Sequence, residues 1–140
     1  MIKDVIITVK SVQAIDSDAD SVELTTEGEF GVKDGKYFLS YEEGQLMDSA
    51  SVKTKMFINS QKSIVLTRSG DINSRMEIEE NIRNNCFYST PIGELSLGIH
   101  GEKVNVDLNE NGGKIKLVYT IDSDLKLVSR NEVEITVKEV

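Results

Sequence analysis

Hydrophobic residues fall on every second position along most of this chain. In Val22-Leu24-Thr26-Gly28-Phe30-Val32 the even positions are apolar or small, and Glu23, Thr25, Glu27, Glu29 and Lys33 fill most of the gaps. The same parity holds in Ile115-Leu117-Tyr119-Ile121 and in Val133-Ile135-Val137. Period two sends alternate side chains to opposite faces of a strand. Repeated this often, it predicts a sheet with one buried and one wet face.

Turn signals divide the pattern into short segments. Asp34-Gly35 between two alternating runs favours a type I′ hairpin, whose two central residues both need positive φ. Asn59-Ser60-Gln61-Lys62, Ser69-Gly70-Asp71, the polar stretch 81–85, Gly101-Glu102 and the stretch 109–113 read as further breaks. Thr90-Pro91-Ile92-Gly93, which holds the chain's single proline, fits a type I turn. About ten strands are expected between the breaks, near 2–15, 20–33, 36–43, 51–59, 62–69, 72–80, 85–90, 94–100, 103–108 and 114–138. The last span divides near Asp122-Ser123-Asp124. The one candidate for a helical turn is the stretch 43–50. Antiparallel strands in a sequential hairpin series escape exposed edges by closing. The expected fold is therefore all-β: a closed up-and-down antiparallel barrel of about 8–10 strands spanning 1–140 as one domain. A two-sheet sandwich is the second architecture the pattern admits.

Composition narrows the function classes. Acidic residues outnumber basic ones by 24 to 16, a net charge of −8. Nucleic acid and anionic lipid are polyanions, so neither is an expected partner. The single cysteine, Cys86, excludes an intramolecular disulfide and suits a reducing compartment. The apolar run Val5-Ile6-Ile7 is too short for a signal peptide, and no segment approaches a membrane helix. The expected location is the cytoplasm. Oligomeric state is left open by the sequence.

Candidate chemistry lies in polar residues on inward parity. Tyr37, Leu39, Tyr41 and Glu43 share one face; so do Val52, Thr54, Met56 and Ile58, and so do Ile64, Leu66 and Arg68. Cys86, Tyr88 and Thr90 form a further set. Glu43 and Arg68 are expected to point inward on strands separated by that of Thr54, and a buried charge needs a partner. Two readings follow. One is an interior site for an anionic ligand, anchored by Arg68 with Tyr41, Thr54, Tyr88 and Tyr119 as polar contacts. The other is an Arg–Glu pair that plugs one barrel mouth.

Other motifs carry less. Asp16-Ser17-Asp18-Ala19-Asp20 with Glu27 partly matches a calcium-loop spacing, but Ser21 stands where the sharp turn calls for Gly, and strands flank it in place of helices. No metal site is expected from it. His100 reads as a solvated turn residue, and no Ser or Cys partner makes a triad. Cys86 reads as a small buried hydrophobe. No phosphate-binding or dinucleotide fingerprint is present, and no catalytic residue or cofactor is assigned.

With these residues laid out, the chain resembles a family of uncharacterised bacterial proteins, the YwiB-like β-barrels of calycin type. The resemblance runs nearly the full length. It rests on Tyr41-Glu42-Glu43, Thr54, Arg68-Ser69-Gly70, Ser74-Arg75-Met76, Tyr88-Ser89-Thr90-Pro91-Ile92-Gly93-Glu94-Leu95 and Tyr119, in that order and spacing. It implies a lipocalin-like closed barrel in the cytoplasm of Gram-positive bacteria and carries over no catalytic residues. The wider calycin group binds small hydrophobic ligands inside the barrel, an implication by fold analogy. The Trp that many lipocalins pack near the barrel floor is missing, since the chain has no Trp. The combined expectation is a non-enzymatic barrel that takes a small, partly apolar or anionic ligand at its mouth. The alternative is a filled barrel whose outer surface meets a protein partner. Large inward residues such as Ile58, Leu66, Met76, Ile78, Leu95, Leu97, Ile99, Leu108, Leu117 and Leu127 predict a mostly filled interior with a shallow polar mouth.

Overall fold

The computed structural model describes residues 2–42, 52–70, 73–90 and 93–140. Among the described residues the strands are β1 (Ile2–Ile15), β2 (Asp18–Lys33), β3 (Lys36–Glu42), β4 (Val52–Ser60), β5 (Ser63–Gly70), β6 (Asn73–Glu79), β7 (Arg83–Thr90), β8 (Gly93–Asn109), β9 (Gly112–Ser123) and β10 (Lys126–Glu139). Each pairs antiparallel with its neighbours in sequence. β1 closes the ring on β10, from Val5↔Glu139 to Ala14↔Arg130. The architecture is a closed ten-stranded up-and-down barrel, and closure sets the sandwich aside. No helix among the described residues is long and apolar enough to cross a membrane.

The period-two pattern sets the faces. Ile115 and Leu117 are 0% and 1% exposed, whereas Lys114 and Lys116 between them face out. Val5, Ile7, Phe30, Leu39, Ile64 and Ile78 are fully buried. Asp34 and Gly35 have φ of 53° and 78°, both positive as the type I′ turn requires.

Three local expectations give way. Gly101-Glu102 is no turn: β8 runs unbroken for 17 residues and absorbs the irregularity as a register shift between Gly101 and Lys103. His100 therefore lies within a strand, opposite Arg83 and Thr120. Leu127, expected inside, is 69% exposed, because a register shift between Leu127 and Ser129 reverses the parity there. Leu95 keeps its parity but stands at the end of β8, where little of the opposite wall remains to cover it, and is 58% exposed. The candidate helical turn at 43–50 lies outside the described residues.

The barrel has two unlike ends. The floor end carries the hairpins 33–36, 60–63 and 109–112, and the connection 79–83. That connection is pinned to β8: Asn81 N donates to Gly101 O at 2.8 Å and Gly101 N to Ile82 O at 3.2 Å. Glu80 Oε2 accepts from Val104 N at 3.1 Å and meets Lys62 Nζ at 3.1 Å. These contacts, led by the Val104 amide, hold the Glu80 carboxyl below its ordinary pKa. The mouth end carries the hairpins 15–18 and 123–126, together with the adjoining ends of β3 to β8.

Candidate functional site: a polar row at the barrel mouth

One row of register partners crosses six strands just inside the mouth. Gly28 of β2 faces Tyr41, Tyr41 faces Thr54, Thr54 faces Arg68, Arg68 faces Ser74 and Ser74 faces Tyr88. Antiparallel pairing puts such partners about 5 Å apart on one face. Gly28 opens the row for a reason visible in its surroundings. A Cβ there would lie 2.5 Å from Ser40 O and from Ile7 Cδ1, and 3.3 Å from Tyr41 Cβ. Only a residue without a side chain fits between the Ser40 carbonyl and the Ile7 side chain.

The row borders a cavity of about 250 Å³. Val9, Leu24, Met56, Ile78, Leu117 and Ile135 are among its apolar walls, and Tyr41, Tyr119, Arg68 and Ser11 supply its polar groups. It reaches side chains as deep as Ile78 and Met56, at 0% and 1% exposure. The interior is thus filled toward the floor and hollow toward the mouth, deeper than the shallow site expected from the large inward residues.

The structure places the sequence-derived site residues unequally. Tyr41, Arg68 and Tyr119 line the cavity together. Thr54 stands between Tyr41 and Arg68 in the ladder, fully buried. Tyr88 ends the row, with its hydroxyl 3.8 Å from Met76 Sδ. Glu43 lies outside the described residues, and so does the expected Glu43–Arg68 pair. Thr54 Oγ1 and Ser74 Oγ are buried without a hydrogen-bond partner among the described residues. A buried polar atom left unmatched costs free energy in the folded chain.

Sequence reading missed three polar features. Ser74 shares parity with Met76 and Ile78, so the signal was there. Asn131 and Ser129 continue the inward parity of Val133-Ile135-Val137. Both are buried, and Asn131 Nδ2 donates to Ser129 Oγ at 3.1 Å. The third, Arg83–Asp122, gave no signal, because it spans β7 to β9 across β8. Arg83 Nε and Nη2 donate to Asp122 Oδ2 and Oδ1 at 2.9 and 2.6 Å. Gly98 between them has no side chain to block the guanidinium. The Arg83 hydrogen bonds hold the Asp122 carboxyl below its ordinary pKa. Asp122 Oδ1 also accepts from Leu125 N at 3.2 Å, bracing the β9–β10 turn on the outer face.

Chemically the cavity offers apolar walls, the Arg68 guanidinium, the phenol groups of Tyr41 and Tyr119 and the Ser11 side chain. Burial pushes the Cys86 thiol pKa up, which works against a reactive thiolate. His100 lies on the face opposite to Ile99, away from the cavity. The Asp16–Glu27 stretch is a hairpin turn and extended β2 strand, and no group of three or more His, Cys, Asp or Glu suited to a metal occurs among the described residues.

A family model described as a domain of unknown function, DUF1934, matches residues 7–135. The uncharacterized beta-barrel protein YwiB of Bacillus subtilis (strain 168) is 31% identical over 111 residues, covering 79% of this chain and 76% of that protein. The crystal structure of the ywiB protein from Bacillus subtilis matches with a TM-score of 0.89 at 26% identity, over 99% of this chain and 93% of that one. The sequence match over nearly the whole barrel and the shared fold agree: the chain belongs to the DUF1934 family of β-barrel proteins.

Proposed function

We propose that this barrel is a binding protein for a small amphiphilic anion, a monocarboxylate with a short apolar body, held in the mouth cavity. The observation that carries this reading is the cavity lining, which brings the Arg68 guanidinium and the Tyr41 and Tyr119 hydroxyls together with an apolar wall. A carboxylate drawn toward the Arg68 charge would accept from these hydroxyls, and its apolar body would lie against Met56, Leu117 and Ile135. The cavity volume is that of roughly eight liquid waters and falls below the ~300 Å³ lower bound for drug-sized ligands, so the ligand is smaller than those. The barrel's outward charged residues fit a molecule surrounded by water. With the buried lone thiol, they support a cytoplasmic binding role in place of catalysis.

Thermal unfolding in the presence of hexanoate, octanoate, decanoate, phenylacetate and their methyl esters tests the reading. A ligand that binds only the folded barrel adds about 2.7 kcal/mol at a hundredfold excess over its dissociation constant. The expected result is a rise in Tm with at least one acid, a smaller rise with its ester, and loss of that difference in Arg68→Met. A flat response to the whole panel, or equal rises for acid and ester, would overturn it.

A further inference from the structure

The outer wall carries a second concavity, unrelated to the mouth. A groove of about 350 Å³ lies across β1 to β4, walled by Ile2, Phe38 and Phe57. Phe38 and Phe57 are cross-strand partners with ring centroids 6.4 Å apart. The depression exists because small residues occupy its middle. Gly31 sits between Ile2 and Phe38 in the ladder, and Ser40 sits between Glu29 and Lys55. Ser40 is only 5% exposed although it faces out, so its neighbours rise around it. Lys33, Lys53 and Lys55 rim the groove against a single carboxylate, Glu29. None of the three lysines is in an ion pair among the described residues. A local positive excess around half-buried aromatic rings is out of keeping with a chain of net charge −8.

The complement to this surface stands on the same chain. The β1–β2 hairpin tip presents Ile15, 45% exposed, beside Asp16, Asp18 and Asp20. These three aspartates are likewise in no ion pair among the described residues. The tip is held in shape by the ladder that runs to Ile15↔Asp18. It therefore offers one apolar side chain flanked by carboxylates to a groove that offers apolar rings flanked by ammonium groups.

We propose that two copies of this chain associate by inserting each β1–β2 tip into the Phe38–Phe57 groove of the other. A tip and a groove alone fall short of the ~1,200 Å² that stable interfaces bury, so the contact is made twice, about a twofold axis. The topology permits this. Tip and groove share the β1–β2 side of the barrel, the tip at the mouth end and the groove extending toward the floor hairpin at 33–36. Two barrels side by side and running in opposite directions set each tip along the other's groove. A polyanion fits less well, because the whole molecule repels it outside the groove.

Sedimentation velocity over a wide concentration range tests this with the purified chain. The wild type should show a reversible monomer–dimer equilibrium. Lys53→Glu/Lys55→Glu should weaken association at least tenfold. Asp16→Lys/Asp18→Lys should weaken it as much, even though it lowers the net charge from −8 to −4 and so relieves general repulsion. An equimolar mixture of the two variants should recover dimer, because each remaining or reversed tip then meets a groove of opposite charge. Circular dichroism establishes that each variant is folded; Lys53, Lys55 and Asp18 are exposed ladder positions and Asp16 is an exposed residue of the hairpin turn. A wild type that stays monomeric at the highest concentration would overturn the proposal. So would a dimer that neither variant weakens, or variants that fail to recover on mixing. A monomer whose groove takes up an unrelated acidic peptide would also overturn it, in favour of a foreign partner.

Discussion

The floor and the mouth of this barrel are made from the same alternating strands, yet they are organised for different ends. At the floor, Phe30 stacks on Tyr37 with centroids 5.2 Å apart, and the 79–83 connection is stitched to β8 by backbone hydrogen bonds. At the mouth a cavity remains open, and two buried hydroxyls lack partners among the described residues. Apolar side chains also stay in solvent there: Ile15, Val22, Leu95, Leu125 and Leu127 are all between 45% and 80% exposed. Packing density and polar satisfaction build stability. Their local absence at one end, in a fold otherwise complete, marks where function is expected to sit. Leu125 sharpens the contrast. It adopts φ of 68°, a left-handed conformation that a branched apolar residue rarely takes, and does so where it is 80% exposed.

Substitutions should separate the two ends by size and by sign. The largest loss is expected at the floor. Phe30→Ala should cost about 3–5 kcal/mol in equilibrium denaturation, and Leu24→Ala on the cavity wall less than half as much. Equal losses would mean that the mouth is packed like the floor. Next comes Gly28→Ala, where the new methyl meets the Ser40 carbonyl and the Ile7 side chain and presses on Tyr41 Cβ. A loss of about 1–3 kcal/mol is expected, along with a change in Tyr41 fluorescence or NMR environment. No loss would show that β2 and β3 are free to separate there.

A smaller effect is expected at the brace outside the mouth. Asp122→Asn should cost measurably less than the ~1.5–3 kcal/mol of a buried charged hydrogen bond, because Arg83 is 37% exposed. The Asp122 pKa is lowered in the folded state, so its contribution is present above the ordinary carboxylate pKa and fades as pH falls through the depressed value. The gap between wild type and Asp122→Asn should hold from about pH 7 to 5 and begin to narrow below about pH 4. A gap that widens on acidification would reverse the sign and refute the brace.

The smallest effect on stability is also the most telling. Thr54→Val removes an unmatched hydroxyl from a fully buried position. In equilibrium denaturation, stability should stay the same or rise by up to about 1 kcal/mol. A marked loss of stability would show that the hydroxyl already has a partner in the folded chain.

Much of this was legible in the residues. Parity predicted a sheet with one buried face and put Tyr41, Thr54, Arg68 and Tyr119 on it, and the turn signals with the need to close exposed edges made that sheet a barrel. Parity failed where a bulge intervened. The shift at Leu127/Ser129 turned Leu127 outward, and the one at Gly101/Lys103 carried a strand through what read as a turn. A bulge adds one residue without a distinctive composition, so alternation cannot announce it. The depth of the cavity was also hidden. The inward residues were known to be large, but whether large side chains meet across a barrel depends on its girth and stagger, which single strands do not encode. Arg83–Asp122 was invisible because its partners are 39 residues apart and meet only over Gly98.

The central claim is that the mouth, and not the floor, receives an amphiphilic anion. Methyl-resolved NMR during titration with the acid that most raises Tm tests it most directly. The methyls of Met56, Leu24 and Val133, which line the cavity, should shift in a saturable manner, while those of Val5, Ile58 and Val137 toward the floor stay in place. Shifts spread evenly over both sets, or confined to outward-facing methyls, would contradict the account.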